Sequence, residues 1–197
     1  MTARSMVAGA ALVLIAASAP ASAQQDRRPS PSGTSLYNLD SKWVTQDDGR
    51  IALSSLGGKP VVMAMGYTYC KAICPAIVAD MMWMDKHLPP GAAGRVQFAF
   101  FSFDPIGDTP ERLKLYAEGH GLDMSRWILL SGDEDAVREL AAALGVSYRP
   151  DGQGGFDHAA VFSLVDTKGE IVFQQRGAQA SPDELLAKLS SLIAARN

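Results

Sequence analysis

Val61-Val62-Met63-Ala64-Met65 contains no polar residue, so a strand formed there has to be buried on both faces. The segment after it supplies a covering helix. From Cys74 to about His87 the chain puts Pro75 at the first helical position and apolar residues at Ile77, Val78, Met81, Met82 and Met84. Val96 to Phe103 reads as a second buried strand and runs into a turn, Asp104-Pro105-Ile106-Gly107-Asp108. Thr109 then caps a helix with Pro110 at its first position, carrying Leu113, Leu115 and Tyr116 and stopping near Gly119.

Trp127 to Leu130 is a short strand, and Asp133 to Leu144 a helix ended by Gly145. Lys42–Thr45 and Arg50–Leu53 form a hairpin about Asp48-Gly49, and Ala160–Val165 and Glu170–Gln174 another about Asp166-Thr167-Lys168-Gly169. A last helix starts at the capping box Ser181-Pro182-Asp183-Glu184 and runs to about Ala195. Strands alternating with helices and closing on a hairpin plus helix predict an α/β sandwich of the thioredoxin type. A central mixed β-sheet is flanked by helices, with an N-terminal β-hairpin at one side.

Residues 1–23 read as a cleavable signal peptide: Arg4 is the positive start, Val7 to Ala17 the apolar stretch, and Ala21-Ser22-Ala23 the small-residue cleavage pattern. The apolar stretch falls short of the roughly 20 residues of a membrane span. The mature protein is therefore expected in the periplasm, with no stable membrane insertion. An uncleaved signal would instead anchor it to the inner membrane, facing the periplasm. Residues 24–34, polar and rich in Pro and Ser, read as a flexible linker, and 35–197 as one domain. Loss of Arg4 takes the formal charge from −3 to −4, and no basic cluster exists, which argues against nucleic-acid binding.

The only cysteines, Cys70 and Cys74, lie four residues apart at the strand-to-helix junction. Two soft sulfur donors at such a point suit either a thiophilic metal or a dithiol–disulfide cycle. A purely structural disulfide is a poor explanation, because so short a loop restricts the unfolded chain little. If the helix began near Cys70, the two residues would stack on one face about 6 Å apart along the axis, within reach of one another or of one ion. A copper site would need a third donor, typically imidazole. His87 and His120 sit at helix ends, where a solvated or capping role suffices. His158 stands in Gly154-Gly155-Phe156-Asp157-His158, a loop entering the strand expected beside the cysteine turn. Met63, Met65, Met81, Met82 and Met84 surround the motif but follow core spacing.

Three blocks carry a family resemblance: Gly66-Tyr67-Thr68-Tyr69-Cys70…Cys74-Pro75, Asp104-Pro105…Asp108-Thr109-Pro110…Leu113…Tyr116, and Asp157-His158. In order and spacing the chain resembles the Sco/SenC proteins from about Leu36 to Ser191. The resemblance implies a thioredoxin-like fold and one copper ion, as Cu(I) and also as Cu(II), held by Cys70, Cys74 and His158. It further implies a metallochaperone that takes copper from a donor protein. Its client would be the copper A subunit of a haem–copper oxidase or another periplasmic cuproprotein. Asp104 and Asp108 are implied as supporting or docking groups. Where the family usually has Pro after the first cysteine, this chain has Lys71, whose charge is expected to favour the Cys70 thiolate. The alternative is a thiol–disulfide oxidoreductase, with Cys70 and Cys74 as its catalytic dithiol. A peroxidase would need hydrogen-bond donors for the peroxide that nothing in the sequence identifies.

Overall fold

The computed structural model describes residues 32–178 and 181–194, so the expected signal segment and most of the expected linker lie outside the described residues. Along the chain run β1 (Lys42–Thr45), β2 (Arg50–Ala52), β3 (Val61–Gly66), α1 (Cys74–Lys86), β4 (Gln97–Ser102), α2 (Pro110–His120) and β5 (Trp127–Gly132). They are followed by α3 (Glu134–Leu144), β6 (Tyr148–Pro150), β7 (Phe156–His158), β8 (Val161–Val165), β9 (Ile171–Arg176) and α4 (Asp183–Ala194).

The main sheet has the order β2-β1-β5-β4-β3-β8-β9. β3, β4 and β5 are parallel neighbours, with α1 and α2 in the crossovers that parallel pairing requires. The flanking pairs β1–β5, β1–β2, β3–β8 and β8–β9 are antiparallel, which makes the sheet mixed, as the sequence predicts.

Alternation along β3 builds two cores. Val61, Met63 and Met65 join Phe101 and the α3 residues Val137, Leu140 and Leu144 on one face. Val62 and Ala64 join Phe98 and Phe100 on the other, beneath Ile77 and Met81 of α1, Leu113 of α2 and Leu185 of α4. Each fully buried Val, Leu, Phe or Met contributes about 1.5–3 kcal/mol. The methionines read as core are core: Met63, Met65, Met81 and Met84 are buried, and Met82 packs half-buried against the second cluster.

α1 begins at Cys74, with Ile73 as its cap, where the sequence puts it; Cys70 stands outside the helix, and its amide closes a turn onto the Tyr67 carbonyl at 3.3 Å. Three local readings change. Gly119 lies within α2, and the stop is Gly121 at φ 63°, a left-handed conformation natural to glycine. Before α4, Ser181 bonds the backbone and carboxylate of Asp183 in place of a reciprocal pairing with Glu184. Finally, β6 and β7 form a separate two-stranded ribbon where the sequence suggests only a loop. Among the described residues no helix is long and apolar enough to cross a membrane.

Candidate metal centre

β3 delivers the chain to the site and ends on Gly66. A side chain there would collide with what surrounds it: a Cβ would lie 2.7 Å from Phe100 Cζ and 2.8 Å from Cys74 Sγ. Past the turn, Cys74 opens α1 with no exposure, and Cys70 is buried as well, at 8% exposure. The Cys74 amide donates to Cys70 Sγ at 3.4 Å. The two cysteines are free thiols.

His158 is the last residue of β7, opposite Tyr148 of β6, and so stands on a short strand. Its Nε2 lies 3.2 Å from Cys74 Sγ and 4.0 Å from Cys70 Sγ, and the three donor atoms all fall within 4.8 Å of one another. An ion bonded at about 2.0–2.3 Å to nitrogen and sulfur holds such donors roughly 3.5–4 Å apart, so small adjustments suffice to seat one. The opposite ring nitrogen, Nδ1, is 3.4 Å from the Ala159 carbonyl and is placed to donate to it, which leaves the Nε2 lone pair facing the sulfurs.

Aromatic rings hold this arrangement. Phe103, just beyond β4, stacks on Tyr148 at 4.8 Å and lies 4.9 Å from the His158 ring. Tyr67 meets Phe156 edge-on at 5.4 Å and His158 at 6.2 Å.

Burial lowers the pKa of His158, outweighing the Ala159 hydrogen bond and the Asp157 charge that raise it, so the imidazole is neutral at neutral pH. The thiols diverge. Burial pushes both up, but at Cys70 it is outweighed by hydrogen bonds from the Cys74 amide and thiol and the amides of Ala72 and Ile73, and its pKa falls. At Cys74 burial wins, and the pKa rises well above that of an ordinary thiol. The main downward pull on Cys70 is thus from main-chain amides, not from Lys71, whose side chain is exposed.

Asp108 lies behind the cysteine turn with no solvent exposure. Its carboxylate accepts from the Thr68 amide at 3.0 Å, the Thr68 hydroxyl at 2.5 Å and the Ser102 hydroxyl, pinning the chain two residues before Cys70. Asp104 closes its own turn by accepting from the amides of Ile106 and Gly107, away from the three donors. His87 and His120 each place Nδ1 against a carbonyl of their own helix, Trp83 and Tyr116 respectively, and neither joins the cluster. Sequence reasoning missed Tyr67, Phe103 and Gly66 as parts of the site. Gly66 and Tyr67 stand in the first block of the family resemblance, and Gly66 ends an apolar run; Phe103 carried no such signal.

Two thiolates and an imidazole suit a soft or borderline ion such as Cu(I), and three donors leave a position open to an incoming ligand. Comparison with known proteins finds relatives in both sequence and fold. The SCO1 protein homolog of Bacillus subtilis is 28% identical over 150 residues, 74% of this chain and 77% of that protein. A SCO1/SenC family lipoprotein from Bacillus anthracis superposes with a TM-score of 0.70 at 26% identity, over 80% of this chain and 95% of that one. Bradyrhizobium japonicum ScoI, solved with copper bound, superposes at 0.62 and 26% identity, over 77% and 96%. The family model described as SCO1/SenC matches residues 31–194, which takes in every element from the first hairpin to α4. With fold and sequence matched from end to end of the domain, the chain belongs to the SCO1/SenC family.

Proposed function

We propose that this protein is a copper-binding metallochaperone in which Cys70, Cys74 and His158 hold one copper ion. The observation that carries the reading is the convergence of two sulfurs and one imidazole nitrogen within 4.8 Å, from parts of the chain 84 residues apart. The copper-bound state of Bradyrhizobium ScoI supports it. In this reading the ion is cargo. The thiols lose their protons, Nε2 completes a trigonal set, and a partner's donors displace the ligands stepwise. The client is the copper A-bearing subunit of a haem–copper oxidase or another periplasmic cuproprotein, reached in the periplasm after loss of residues 1–23.

Anaerobic Cu(I) titration of the reduced protein against a competing chelator tests this. One tightly held ion is expected, lost in Cys70→Ala, Cys74→Ala and His158→Ala. Undiminished binding by the His158 variant would refute the three-donor site.

The divided thiol pair favours a second reading, a thiol–disulfide oxidoreductase acting on a client's cysteines. Cys70, with its lowered pKa and the greater exposure of the two, would attack, and fully enclosed Cys74 would resolve the mixed disulfide. Here His158→Ala leaves exchange with a model disulfide largely intact, whereas copper retention depends on it.

A further inference from the structure

We propose that the Tyr67 hydroxyl is a positioning group for His158. Its hydrogen bond to the Phe156 amide latches the β6–β7 ribbon to the cysteine turn and sets the imidazole over the two sulfurs. The purpose of the latch rests on the copper reading; its geometry does not.

β6 and β7 pair with each other and with no strand of the main sheet, so no ladder of main-chain bonds fixes the ribbon in place. Ring contacts attach it: Phe103 against Tyr148, and Tyr67 against Phe156. Such contacts allow sliding, whereas a hydrogen bond weakens steeply with distance and angle. The Phe156 N–H donates to Tyr67 Oη at 3.2 Å. Residues 156 and 158 share one face of the strand, so fixing the first fixes the direction of the second.

Tyr67 is itself tied to the cysteine turn. Its carbonyl accepts from the Cys70 amide at 3.3 Å. One residue therefore meets a thiol-bearing position through its backbone and the histidine strand through its side chain. The opposing chain leaves room for the hydroxyl: a Cβ at Gly155 would lie 2.6 Å from it.

The test uses Tyr67→Phe and Gly155→Ala in the full chain, each alone and combined with His158→Ala. Tyr67→Phe keeps the ring and removes only the oxygen; Gly155→Ala keeps the oxygen and pushes it away. In the copper-free protein, hydrogen exchange at the Phe156 amide, read by NMR, is expected to speed up about three- to tenfold in either variant, the range of one net hydrogen bond. Exchange in β3 and β4 stays unchanged. Cu(I) affinity by chelator competition falls by a similar factor where His158 is present and does not fall further in the His158→Ala background. A residue that merely stabilised the fold would weaken binding equally in both backgrounds. Equal loss in both, or unaltered Phe156 exchange, overturns the proposal. Copper binding by neither variant nor parent would overturn the copper reading instead, while the Phe156 exchange still decides the latch.

Discussion

Replacing Gly66 with alanine asks how rigid the floor of the site is. The added methyl would lie 2.7 Å from Phe100 Cζ, 2.9 Å from Phe100 Cε2 and 2.8 Å from Cys74 Sγ, where carbon contacts prefer about 3.5–4.0 Å. Several tenths of an ångström must come from somewhere. Phe100 cannot supply it by swinging outward: it is 1% exposed, with its ring stacked 6.1 Å from that of Tyr116. Cys74 is equally enclosed. Overpacking of this kind costs about 1–3 kcal/mol, and a domain of this size loses roughly 2–4 °C per kcal/mol, so Tm should fall by about 2–12 °C. The sulfur is the softer obstacle, since it can turn about a single bond, but metal–ligand distances tolerate only about 0.2 Å. Thermal unfolding of the reduced, copper-free protein and Cu(I) competition should therefore both register the change. Gly94→Ala is the control: a Cβ there meets nothing within 4 Å, and both measurements should stay at the parent's values. A Gly66→Ala protein with unchanged Tm and affinity would refute the close-packed account of the site.

Three further outcomes follow from the same geometry. Copper must displace thiol protons, and Cys74 holds its proton more tightly than an ordinary thiol because it is buried. Affinity should thus fall with falling pH, by at least about tenfold per unit between about pH 8 and 6, since each displaced proton contributes one decade per unit. Protonation of His158, whose pKa is depressed by burial, steepens the fall only at the acid end, and a flat profile would contradict this. Asp108→Ala strands the Thr68 amide, the Thr68 hydroxyl and the Ser102 hydroxyl, at about 1–3 kcal/mol for each group left unsatisfied. Denaturant unfolding should show the loss, and Asp108→Asn, which keeps an acceptor oxygen, should recover part of it. His87→Ala and His120→Ala remove side chains bonded to their own helices, so Cu(I) titration of either should match the parent within about twofold, well under the 1.4 kcal/mol of a tenfold change.

The core strands were legible because β3 has no polar residue to place and because Pro75, Thr109-Pro110 and Gly145 mark helix ends chemically. The cysteine pair was legible because the chain has two cysteines and both fall at the mouth of that strand. The ribbon was not. Tyr148-Arg149-Pro150 and Phe156-Asp157-His158 are three residues each, with a proline in one and a Gly-rich polar loop between them. No period can be read from so little, and what holds the ribbon is stacking on Phe103, a contact visible only in three dimensions. The start of α1 was legible from Pro75; what four-residue spacing alone could not show is that Cys70 stands outside the helix, at the end of the turn its amide closes onto Tyr67. Lys71 shows the limit of arguing charge from neighbours in sequence, since the amides of the turn, facing the sulfur, do what an exposed ammonium does not.

The donors reach the centre by two separate routes. Two thiols ride on one turn anchored by Asp108, and the imidazole comes from a ribbon outside the main sheet. For a bound ion, the imidazole is therefore a tethered competitor against any donor a partner presents, and what matters is its effective concentration at the sulfurs. A flexible tether supplies about millimolar, and a pre-oriented group far more. On the copper-chaperone proposal, a protein built this way would change how readily it surrenders its ion without altering a single ligand, through the stiffness of a six-residue ribbon alone.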